Sequence, residues 1–130
     1  MVKMSYKSYN DLPKSSKYNF NGPPCPVVTS IPHKKKIIQT TRIAIFKISA
    51  HWCEPCRRIA PIVDELASKI NKPGEIMIYA EDFDDKLSAD VHSVPAFDYY
   101  FEGRKVHRQS GADVDEHKRN IQMMLSSPTS

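Results

Sequence analysis

A chain of 130 residues, 40% apolar and 26% charged, has room for one globular domain with a core and not for two. No apolar run reaches the roughly 20 residues of a membrane-spanning helix, and three cysteines are too few for a disulfide framework. The net charge of +4 is unevenly placed: residues 1–36 carry seven Lys and one Asp, while the rest carries twelve Lys and Arg against fourteen Asp and Glu. The basic character therefore belongs to an N-terminal arm and not to the domain. Met1–Asn10 is polar and basic with no apolar stretch, so no secretory leader is expected and a cytoplasmic location is.

Residues 1–26 are rich in Ser, Tyr, Lys, Asn and Pro and show neither strand nor helix periodicity. They read as an extended arm without a core of its own. Tyr6, Tyr9, Leu12, Tyr18 and Phe20 are spaced so that such an arm can dock on another surface. The domain is expected to run over 27–126, leaving 127–130 as a tail. Val27-Val28-Thr29 predicts a short strand, and Ser30 predicts a helix cap with Pro32 in the first turn of a helix through Gln39. Residues 43–48 form a continuous apolar run with one charge, Lys47, which predicts a buried strand.

That strand leads into Trp52-Cys53-Glu54-Pro55-Cys56 and then into apolar residues at helical spacing: Ile59, Ile62, Val63, Leu66 and Ile70. Pro61 lies inside the helix and Asn71-Lys72-Pro73-Gly74 ends it. A Cys-x-x-Cys at a strand–helix junction reads as a redox dithiol. Backbone N–H groups and the positive end of the helix dipole favour thiolate over thiol there, and a cysteine one turn further on is within reach for a disulfide.

Ile76–Ala80 predicts a second buried strand, 81–85 an acidic solvated turn, and 86–91 a short helix. Residues 96–101 and 104–109 predict strands joined by a Glu102-Gly103 hairpin turn; Gly111 precedes a last helix over 113–125. The order is that of an α/β fold: a mixed sheet with helices on both faces.

With these elements in place, residues 27–125 resemble a thioredoxin. Ser49–Cys56 resembles the family's redox motif, Ile59-Ala60-Pro61 its helix-kinking proline, Ser93-Val94-Pro95 the loop whose proline is cis, and Glu102-Gly103 with Gly111 the hairpin and pre-helix glycines. The resemblance implies a thiol–disulfide oxidoreductase with a thioredoxin-like fold. Cys53 would attack protein disulfides and Cys56 would resolve the mixed disulfide. Trp52, Val94 and Pro95 would line the substrate groove. It implies no cofactor beyond the cysteine pair, protein disulfides as substrates, and a reductase as electron donor.

The chain departs from that pattern in three places. Lys47 stands where the family has a buried acid, and Ala80 where a lysine commonly faces it. Lys47 is expected to pair with Asp98 or Glu81 or to snorkel to the surface; beside Cys56 its ammonium would favour the thiolate. Glu54 replaces the usual glycine and opposes the thiolate, while Arg57 and Arg58 act the other way. Ala96 replaces a common threonine.

Other chemistries fit less well. Zinc at Cys53 and Cys56 would need Cys25 with His51 or His92, and none of these has paired-ligand spacing, so no metal is expected. The run Lys34-Lys35-Lys36 reads as a solvated face, and nucleic acid is not expected as a partner. Cys25, between prolines, reads as a spare thiol. Trp52 has a plain alternative as a core aromatic. A second reading of the whole chain is a structural subunit, held by residues 1–26 in a larger assembly such as a virion, with the dithiol secondary.

Overall fold

Ile43–Ser49, strand β1, is apolar on both faces and has to be covered on both. In the computed structural model, which describes residues 22–126, it lies inside a four-stranded sheet. The other strands are β2 (Ile76–Asp82), β3 (Ala96–Phe101) and β4 (Arg104–Ser110), in spatial order β2-β1-β3-β4. β1 runs parallel to β2 and antiparallel to β3, and β3 pairs antiparallel with β4. Three helices cover the sheet: α1 (Ile31–Thr40), α2 (Glu54–Ile70) and α3 (Val114–Leu125).

Side-chain alternation along β1 sorts the two faces. Ile43 and Ile45 enter the main core with Ile59, Ile62, Val63 and Leu66 of α2 and Ile121 of α3. Ala44 and Phe46 point the other way, into a smaller cluster with Val28 and Ile37 of α1. Each fully buried Ile or Leu side chain contributes roughly 1.5–3 kcal/mol. Helices on both faces of a mixed sheet is the expected architecture.

Three expectations are corrected. Val27-Val28-Thr29 is not a strand. It makes one parallel bridge, Val27 to Ala80, with Val28 N–H donating to Ala80 O at 2.9 Å and Ala80 N–H to Pro26 O at 2.8 Å. The expected helix over 86–91 is absent. Asp82 instead caps a single 3₁₀ turn, Phe83–Asp85, and Lys86 ends it in the left-handed region at φ 54°. The chain then turns Ser88 inward, where its Oγ donates to Glu81 Oε2 at 2.6 Å. Finally, the arm does not extend through residue 26. Cys25 is 2% exposed in the main core, and its N–H donates to Asp64 Oδ1 of α2 at 3.0 Å. Tyr6, Tyr9, Leu12, Tyr18, Phe20 and the tail 127–130 lie outside the described residues.

The other boundaries follow their local signals. Ser30 Oγ caps α1 by accepting His33 N–H at 3.1 Å. Glu102 and Gly103 both take positive φ, 49° and 88°, as a tight two-residue hairpin requires. Asp113 caps α3.

Candidate functional site

The residue after β1 decides where the sulfurs sit. Ala50 O accepts Cys53 N–H at 3.1 Å, which turns the chain, and Cys53 becomes the N-cap of α2. Its Sγ occupies the position of a capping oxygen and accepts Cys56 N–H at 3.2 Å. A backbone donor and the positive helix end therefore both act on Cys53, the conditions that lower a thiol pKa. Cys53 and Cys56 are joined as a disulfide with Cα atoms 5.3 Å apart. The two cysteines are almost equally buried, at 5% and 4% exposure.

The Val94–Pro95 bond is cis, and it brings Val94 O to 3.7 Å from Cys53 Sγ. Gly111 N–H donates to Pro95 O at 2.8 Å, tying the loop to the end of β4. Gly111 sits at φ 100°, a conformation that side chains disfavour. Ala50, Cys53 and Cys56 form a small apolar cluster against Val94 and Phe83. Trp52 is 56% exposed, so its core reading is wrong. Its Nε1–H donates to Asp84 Oδ2 at 3.1 Å, and its ring meets Phe83 edge-on at 6.2 Å.

The flanking charges largely answer one another. Glu54 pairs with Arg58 at 3.2 Å across one helical turn, with both side chains exposed. Arg57 Nη1–H donates to His51 O at 2.7 Å. Ala96 is buried at the start of β3.

Lys47 does not take the partners expected for it. Asp98 is held by Arg108 through both carboxylate oxygens, and Glu81 by Lys34 at 2.7 Å. Lys47 turns to Asp64 of α2, at 3.9 Å. Burial pushes the Cys25 thiol up to about 12, against an opposing pull from the Lys47 charge. Burial pushes His117 down to about 3, with help from Lys47 and Lys118. Lys34 itself is 8% exposed, so the Lys34–Lys36 run is not a uniformly solvated face; Glu81, at 1%, is likewise no part of a solvated turn.

Asp84, which holds the indole, and Asp64, which takes Lys47, were not singled out from sequence. Asp84 carries one usable signal, its place in the acidic turn capped by Asp82. Among the described residues no group of three His, Cys, Asp or Glu is arranged to hold a metal, and no helix is long and apolar enough to cross a membrane.

Residues 25–125 match the family model described as Thioredoxin. The chain belongs to the thioredoxin family. It is 40% identical over 77 residues to the mitochondrial Thioredoxin O of Oryza sativa subsp. japonica, covering 55% of this chain and 42% of that protein's length. It is 33% identical over 87 residues to Thioredoxin-3 of Dictyostelium discoideum, covering 66% of this chain and 83% of the relative. Among solved structures, Fasciola hepatica thioredoxin superposes with a TM-score of 0.68 at 28% identity, over 76% of this chain and 98% of that one. As in thioredoxins generally, which act on protein disulfides, a Cys-x-x-Cys at disulfide distance is the redox centre of a thiol–disulfide oxidoreductase.

Proposed function

We propose that the chain reduces protein disulfides with Cys53 as the attacking sulfur and Cys56 as the resolving one. The observation that carries this is the N-cap position of Cys53 Sγ, with its N–H donor at 3.2 Å and Val94 O at 3.7 Å. In the reduced protein that donor and the helix end stabilise the Cys53 thiolate. The thiolate attacks one sulfur of the substrate disulfide, forms a mixed disulfide, and releases the other substrate sulfur as thiolate. Cys56, one turn away, then attacks Cys53 Sγ, releases the second substrate sulfur, and closes the Cys53–Cys56 disulfide. Trp52 and Pro95 flank the groove, and the Val94 backbone is placed to pair with an extended substrate segment.

Glu54 and Arg58 offset each other, so their exchange for neutral residues as a pair leaves the Cys53 pKa nearly unchanged, whereas Glu54→Gln alone lowers it. Lys47, drawn to Asp64, acts on Cys25 and His117. The Lys47→Ala pKa of Cys53 tests whether its charge also reaches the dithiol. The decisive experiment is insulin reduction with dithiothreitol as electron source. Cys53→Ser is expected to abolish turnover, and Cys56→Ser to accumulate a mixed disulfide with the substrate. Undiminished turnover by Cys53→Ser rejects the proposal.

A further inference from the structure

On the flank of the dithiol away from the Val94–Pro95 loop lies a cavity of about 320 Å³. The sheet order explains the separation: β1 ends between β2 on one side and β3 on the other, and the cavity opens at the β2 side. Cys56 lines it, whereas Cys53, Val94 and Pro95 do not. Its lining includes the small side chains Ala50, Ala60 and Ala80 together with Arg57, Asp82 and Glu81, whose carboxylate is already taken by Lys34 and Ser88. Ala80 is one of the positions where this chain departs from the thioredoxin pattern, and a long side chain there would fill the space. Arg57 gives one Nη1–H to His51 O, and a planar guanidinium has further donors in the fork geometry that suits a carboxylate.

We propose that this cavity admits a small carboxylate-bearing thiol, which reduces the Cys53–Cys56 disulfide by attack on Cys56. The proposal rests on the oxidoreductase reading and adds an electron source to it. The incoming thiolate forms a bond to Cys56 Sγ as the Sγ–Sγ bond breaks, and the electron pair leaves on Cys53 Sγ. Exchange is faster when the expelled thiol has the lower pKa, and Cys53, with its backbone donor and helix end, is the better leaving group of the two. Attack from the cavity therefore expels the favoured sulfur. A second small thiolate attacks the small-molecule sulfur of the mixed disulfide and releases Cys56 as thiolate. Two small thiols become one disulfide, the protein disulfide becomes a dithiol, and the two thiol protons pass to the protein sulfurs or to water.

Glutathione is the probe. Oxidised full-length protein is mixed with it, quenched in acid, and the mixed disulfide located by peptide mass spectrometry. The adduct is expected on Cys56; an adduct confined to Cys53 overturns the proposal, and this reading needs no variant. Two further measurements use variants. Ala60→Leu, a helix-compatible change that fills the cavity, is expected to slow reduction by glutathione about tenfold, and an unchanged rate overturns the proposal. Wild type is expected to prefer N-acetylcysteine to cysteamine after correction for thiolate fraction. Arg57→Gln should remove that preference, worth about tenfold for one charge-assisted contact, and a preference that survives counts against the proposal. Failure of insulin reduction with dithiothreitol would reject the oxidoreductase reading without moving the adduct, so the two failures are distinguishable.

Discussion

Lys34 and Lys47 are both buried, one on each face of the sheet, and they are held very differently. Lys34, from α1, puts its Nζ 2.7 Å from Glu81 Oε1 and 2.7 Å from Ser88 Oγ, over the Phe46 ring at 4.8 Å. Ser88 closes the triangle by donating to the other Glu81 oxygen. Lys47, from the central strand, has a carboxylate at 3.9 Å whose Oδ1 also accepts the Cys25 N–H. Burying a charge costs several kcal/mol, and only short, multiply bonded geometry offsets it. The first lysine is locked into its site, and the second is tolerated near the partly open end of its own. What separates them is how many polar atoms converge on the ammonium, since both side chains are about equally buried.

The contrast can be broken at several points. The largest effect is expected at Glu81→Ala, which strands Lys34 without its carboxylate and should destabilise the fold by roughly 3–5 kcal/mol in a urea titration. A loss below about 1 kcal/mol would mean that the triangle is decorative. Next comes the acid limb of stability. His117 is fully enclosed, stacked on Phe97 at 4.1 Å with Nδ1 2.6 Å from Tyr99 Oη, and stays neutral in the fold down to about pH 3. An unfolded chain protonates the same ring near its usual value of about 6.5. Its contribution is therefore complete above that pH and falls as pH drops through it, by up to about 1.4 kcal/mol per unit. His117→Gln should flatten this limb, as seen in thermal melts between pH 7 and pH 4.5. The smallest effect is expected at Lys47→Leu: neutral to stabilising by about 1 kcal/mol, because the apolar replacement avoids the desolvation that one distant carboxylate does not offset. The same change removes a cation that holds His117 neutral, so the folded-state pKa rises toward the unfolded value and less stability is lost to this ring on acidification, with the onset of the limb unchanged. A large loss at Lys47→Leu would show that the two sites are equivalent after all.

The division also tells which parts of the molecule could be read from the chain alone. The dithiol, its helix, the Val94–Pro95 loop and Gly111 were legible because each is set by a few adjacent residues whose backbone needs are distinctive. The fold class followed from the same local signals. The ion pairs were not, since Lys34 and Glu81 are 47 residues apart and their meeting depends on how α1 crosses the sheet. Lys47 was visible as an anomaly, but its partner was not: Asp98 and Glu81 were nearer choices by strand adjacency, and both were taken by other cations. The failed helix over 86–91 has a similar cause. Its residues permit a helix, but Ser88 is needed at the Lys34–Glu81 site, and that tertiary bond wins over local propensity. Asp84 lay within a turn read as merely solvated, and only the folded position of Trp52 reveals what it binds.

The burial of Cys25 makes the protein its own reporter. After reduction, a thiol-counting dye applied to native protein should register the dithiol alone, because the sealed third sulfur is both inaccessible and protonated. Once the strap around Pro24–Pro26 lifts or the chain melts, the count rises from two to three, so colour development over time would trace local opening without any added label.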